Sequence, residues 1–133
     1  MKWPDFYPEN CPPVDAQPAS GTFYRLVRHN PPRAEDFKST YEEHPNQFTH
    51  IPMAKRCGLS VQKDLRDSER LARLDQIKKR APKFKNRQIA EGKLNPTLGM
   101  IKHTPSNHYK SHHTWWVPVG AKPWTVFCVI DSW

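Results

Sequence analysis

The alternation of apolar and polar positions marks only a few regular elements along the 133 residues. Thr22-Phe23-Tyr24-Arg25-Leu26-Val27-Arg28 is dense in β-forming side chains and predicts a strand, ended by Asn30-Pro31-Pro32. Residues 34–43 predict a short acidic helix that stops ahead of Pro45. Leu59-Ser60-Val61, after Gly58, predicts a second short strand. The main helix is expected over 64–81, started by Asp64 or Asp67 as cap and ended by Ala81-Pro82. Within it Leu71, Leu74, Ile77 and Ala81 repeat at the three-and-four spacing of a buried stripe. The last third predicts four β segments, at 87–90, 98–102, 113–119 and 124–130. Asn95-Pro96, Pro105-Ser106-Asn107 and the turn at 120–123 separate them. Trp124 to Ile130 is the most continuous apolar run and reads as the central strand.

These elements describe an α+β protein: a small, twisted, mostly antiparallel sheet with one main helix at about 64–81. Residues 1–20 hold five prolines together with Trp3, Phe6 and Tyr7, and read as an extended proline-rich arm. Residues 21–133 then form a single domain. With 14 prolines in all, each lacking a backbone donor, much of the chain must be loop. Five Trp, four Tyr and six Phe supply the apolar area for a small aromatic core.

Cys11, Cys57 and Cys128 form no Cys-x-x-Cys pair and no disulfide framework, which points to a reducing compartment. No apolar run opens the chain, and none approaches the length that spans a bilayer. A cytoplasmic protein without a membrane partner is therefore expected.

Charge changes the picture most. Residues 55–93 hold 13 Lys/Arg against 5 Asp/Glu, whereas the rest of the chain balances at 8 against 8. A field of one sign on one face attracts an anionic partner. Arg66, Arg70, Arg73, Lys79 and Arg80 on the helix, with Lys83, Lys85 and Arg87 beyond it, form a row suited to successive phosphates. The plainer reading of the same row is a solvated helix face, its arginines paired with Asp67, Glu69 and Asp75.

His103 to Trp116 concentrates four of the seven histidines and two adjacent tryptophans. The spacing matches no zinc pattern, so no metal is assigned. An imidazole can carry protons, and His113, which opens an aromatic strand, is the candidate for that work. Trp115 or Trp116 can stack on bases. Alternatively the two tryptophans point to opposite faces of one strand, one into the core and one onto a neighbouring element. Nucleophile-elbow, dinucleotide-fingerprint and phosphate-loop signatures are all incomplete or missing.

The order of Phe23-Tyr24-Arg25, a helix, Cys57-Gly58-Leu59-Ser60-Val61, the helix start at Asp67–Leu74 and several strands resembles small ADP-ribosyltransferase-like proteins, including the toxin group named for its Arg–Glu–Ser set. The resemblance spans residues 22–130 in order of elements. It implies that Arg25 and Ser60 help hold NAD. The family's late-strand glutamate has no counterpart, because no glutamate follows Glu91; His113 or Asp131 would have to do its work, or the protein would be inactive.

Three functions follow. The leading one is binding of a polyanion, nucleic acid above all, through residues 55–93, with no cofactor. The second is an NAD- or nucleotide-using transferase with Arg25, Ser60 and His113 in one cleft. The third is a subunit held by an acidic protein partner, without catalysis.

Overall fold

The computed structural model describes the backbone of residues 1–77 and 87–130 and the side chains of residues 1–73 and 87–130. Seven strands, β1 (Gln17–Pro18), β2 (Gly21–Val27), β3 (Leu59–Gln62), β4 (Gln88–Leu94), β5 (Met100–His103), β6 (His112–Trp116) and β7 (Phe127–Val129), form one sheet. Their order is β1-β5-β6-β3-β2-β4-β7. Every pairing is antiparallel, as the α+β expectation required. The helices are α1 (Thr40–Glu43), α2 (Met53–Cys57) and α3 (Leu65–Ile77).

β2 and β4 pair over seven residues, from Gly21↔Leu94 to Val27↔Gln88. β3 and β6 pair over four, from Leu59↔Trp115 to Gln62↔His112. Between these two well-knit halves, β2 and β3 share the single register pair Tyr24↔Gln62 and then part. This fork in the middle of the sheet positions the site described below.

Strand alternation divides the buried side chains between the faces. Phe23, Val27, Leu59, Val61, Ala90, Leu94, Trp115 and Phe127 belong to the main core, joined by Phe37 and Leu98. A second cluster holds Cys11, Ala16, Cys57 and Trp116, with Trp3, Phe6, Tyr7 and Tyr41 packed on it. The proline-rich arm thus lies on the domain with its aromatics spent there, and its end pairs as β1 with β5. The helix α3 packs on β2, β3 and β4 and presents buried Ser68 and Ala72. The Asp64 carboxylate caps its start by accepting from the Arg66 amide at 2.9 Å. Of the expected stripe, Leu71 is half-buried; the side chains of Leu74 and Ile77, and all of Ala81, lie outside the described residues.

Three expectations need correction. The acidic helix over 34–43 is a 3-10 turn at Ala34–Phe37 followed by α1, because Ser39 breaks in as a cap and exchanges a capping box with Glu42. The apolar tail is not the central strand. Proline at 123 starts a 3-10 turn through Thr125, leaving only the edge strand β7, with Phe127 inward and Cys128 outward. The segment at 87–90 instead extends through Leu94, and that strand lies inside the sheet. Among the described residues no helix is long and apolar enough to cross a membrane.

Candidate functional site

Where β2 and β3 part, the Arg25 side chain fills the gap. Its Nη1 donates to the Ser60 carbonyl at 2.7 Å, its Nε to the Asp36 carbonyl at 2.9 Å and its Nη2 to the Lys38 carbonyl at 3.4 Å. The guanidinium also lies 5.6 Å from the Phe37 ring centre. Burial lowers its pKa to about 10, so it stays charged at neutral pH. Arg25 therefore ties the 34–39 segment and β3 to β2.

Arg56, only 7% exposed, does the same for the next loop. Its Nη2 donates to the carbonyls of Pro45 and Gln47 at 2.9 and 3.0 Å. Two cations, half-buried Arg25 and buried Arg56, thus hold carbonyls between residues 36 and 47 as a wall facing the sheet, because those carbonyls have no strand partners to accept from.

Between this wall and the sheet run three cavities that share lining residues. The first, about 100 Å³, is lined by Arg25, Arg28, Glu43, Ser60 and Arg87 among others. The second, about 350 Å³, shares Arg25, Glu43, Ser60 and Arg87 with it and adds Thr40, Ile51 and Gly58. The third, about 260 Å³, shares Thr40, Ile51, Gly58 and Ser60 and adds Lys55, Thr104, His112 and Thr114. Ser60 is common to all three, and its residue is exposed in the middle of β3. Gly58 keeps this stretch open: a side chain there would run into the Thr114 methyl.

The groove is mixed in charge. Arg28 pairs with Glu43 at 3.5 Å across its first part. Asp36 is 6% exposed; burial raises its pKa, but amide donation from Arg33 and Arg28 and the contact with His29 outweigh that and hold it below the usual range.

The predicted trio of Arg25, Ser60 and His113 is only partly brought together. Arg25 and Ser60 touch and line the same cavities, whereas His113 points to the other face of β6 and lines none of the three. It packs on Phe23 at 4.9 Å and on His103 at 4.8 Å, and its Nδ1 meets the Ser111 carbonyl at 2.8 Å. Its neighbour His112 takes the groove position, because Gln62↔His112 and Ser60↔Thr114 place His112 and Ser60 on one face. Sequence reasoning missed His112; strand parity anchored on the tryptophans would have found it.

Trp115 and Trp116 are 0% and 2% exposed and cannot stack on bases. Their indole N–H groups donate to the Leu98 and Ala54 carbonyls, both at 2.8 Å. They do lie on opposite faces, one in each core cluster.

In the basic row, Arg66 pairs with Asp64 at 3.0 Å. Arg70 lies 3.7 Å from Asp67, donates to the His108 carbonyl at 2.9 Å and sits 5.4 Å from the Tyr109 ring centre. Arg73 is exposed on the same helix, and Arg87 lines the groove. Lys79, Arg80, Lys83 and Lys85, and likewise Asp131, lie outside the described residues.

Among the described residues no group of three His, Cys, Asp or Glu side chains is placed to hold a metal ion. All three cysteines are free thiols; burial pushes Cys57 up to about 12 and Cys11 to about 11, so neither is a thiolate at neutral pH. No protein-family model, no curated protein and no solved structure matches the chain.

Proposed function

We propose that the protein binds a nucleotide-type ligand, phosphate and sugar hydroxyls together, in the groove centred on Ser60. The observation that carries this reading is the exposed Ser60 on the shared wall of three cavities, with Arg25 and Arg87 at one end and Lys55 and His112 at the other. The largest of the three, about 350 Å³, is within the range of small-molecule sites. Hydroxyls of Thr40, Thr104 and Thr114 supply donors and acceptors along it. NAD is the member of this ligand class that the transferase resemblance implies, with Arg25 and Ser60 in the matching positions.

Nucleic acid is the second reading, favoured by the charge excess of residues 55–93. In it the basic row recruits a larger anion beside the groove. Arg66 and Arg70 already carry local ion pairs, which weakens the row as a primary site and favours the groove.

Titration calorimetry with NAD, ADP-ribose and AMP tests the first reading. Binding that is lost in Ser60→Trp, with the thermal midpoint unchanged, is expected. Equal affinity in wild type and Ser60→Trp, or no binding of any of the three at millimolar concentration, overturns it. RNA retention that falls steeply between about 50 and 200 mM salt, and falls further in Arg66→Glu/Arg73→Glu while Ser60→Trp leaves it intact, would move the function to the basic row.

A further inference from the structure

We propose that His112 is the proton acceptor of the groove, taking a proton from a ligand hydroxyl at its Nε2; this rests on the groove being a ligand site. The geometry fixes which nitrogen is available. His112 Nδ1 lies 3.0 Å from the Thr104 carbonyl oxygen and 2.9 Å from Thr104 Oγ1. A carbonyl oxygen only accepts, so Nδ1 must carry the hydrogen. The Thr104 hydroxyl is itself 2.8 Å from Thr114 Oγ1, which lets it donate onward and accept from Nδ1–H. The neutral ring then has its lone pair on Nε2, and His112 lines the same cavity as Ser60, Lys55 and Thr114.

The surroundings keep the ring neutral, so the Nε2 lone pair is present at neutral pH, although the same surroundings make the ring a weaker base. Burial lowers its pKa, opposed by the Thr104 contact, while Lys55 on α2 and the histidines at 113 and 103 disfavour a further positive charge. In the transfer the ligand O–H bond breaks, an N–H bond forms at Nε2, and the oxygen keeps the electron pair. The resulting imidazolium holds its charge against the Thr104 carbonyl through Nδ1–H, the usual way a second acceptor orients and stabilises a basic histidine. Lys55 lines the same cavity, and its cation would offset the negative charge that the oxygen gains.

His113 and His103 make poorer acceptors. His113 faces Phe23 on the other side of the strand, His103 packs on His113 there, and neither lines any of the three cavities.

Two measurements on the intact chain decide the matter. Long-range nitrogen NMR at pH 7.5 is expected to find the His112 ring protonated at Nδ1 and bare at Nε2; the opposite tautomer overturns the proposal. Diethyl pyrocarbonate at pH 7 is expected to acylate His112 at Nε2, at least fivefold more slowly with 5 mM AMP present. His112→Asn, which keeps an amide N–H for the Thr104 carbonyl, serves as the folded blank. A His112 that stays unmodified while exposed His108 reacts overturns the proposal. So does acylation that AMP fails to slow although calorimetry records AMP binding. If calorimetry records no binding of NAD, ADP-ribose or AMP, the groove reading fails by itself, and tautomer and acylation still judge His112.

Discussion

The Arg25 guanidinium donates to the Ser60 carbonyl at 2.7 Å, beside the one register pair, Tyr24↔Gln62, after which β2 and β3 part. A side chain thereby does the work of a strand, and the same residue walls two of the groove's cavities.

Arg25→Lys should be nearly as damaging as Arg25→Ala. A lysine cannot reach three carbonyls that diverge from a planar fork. Charge-assisted hydrogen bonds are worth roughly 1.5–3 kcal/mol each, and partial rescue by water lowers the total, so a loss of about 2–4 kcal/mol is expected. Urea unfolding measures it; a lysine variant within about 0.5 kcal/mol of wild type would show that the fork stands without the staple.

Gly58→Ala should cost about 1–3 kcal/mol, since the added methyl meets the Thr114 methyl and lies 3.2 Å from Trp116 Nε1. Thr114→Ser removes the obstructing carbon while keeping the hydroxyl that bonds Thr104. The double variant is therefore expected to recover part of the loss, read as a coupling energy in a mutant cycle. Strict additivity of the two changes would contradict this packing.

Trp115→Phe strands the buried Leu98 carbonyl, and Trp116→Phe leaves the half-buried Ala54 carbonyl to the weak Cys11 thiol donor at 3.9 Å. Each is expected to lose about 1–3 kcal/mol in denaturant melts. Nucleic acid added to either variant should bind as it does to wild type, because both rings are inside the protein. A selective loss of binding in either one would contradict the placement.

Asp36 makes stability sensitive to acid. Its folded pKa lies below the unfolded value near 4, so its contribution is complete above pH 4 and disappears as pH falls through the folded pKa. Unfolding free energies at pH 7 and pH 3 should differ less in Asp36→Asn than in wild type. An unchanged difference would show that other carboxylates carry the acid sensitivity.

Much of the architecture is legible in the residues, for local reasons. Phe23 and Val27 alternate inward along β2, and Asp64 caps the helix that its neighbours demand. What sequence could not supply is the competition between segments for the inner position. Trp124 to Ile130 is the more hydrophobic run, yet Gln88 to Leu94, with Glu91 and Lys93 outward, takes the inner position. Inner placement requires a long unbroken ladder, and Pro123 denies that to the tail. The site was half readable for a similar reason. Arg25 and Ser60 stand on strands whose pairing is short, and a mispaired parity at His112 and His113 is enough to send a candidate to the wrong face.

The single rung between β2 and β3 divides the molecule into two slabs. One bears the N-terminal arm and the histidines at 103, 112 and 113, the other bears β4 and β7. Across any other long seam a bend would have to break a row of backbone hydrogen bonds. Across this one it strains mainly a guanidinium, a phenyl ring and the helix laid over them. The relative pitch of the slabs, and with it the shape of the groove that Ser60 and Arg25 line, is thus set by side chains, which can yield by a rotamer where a ladder cannot.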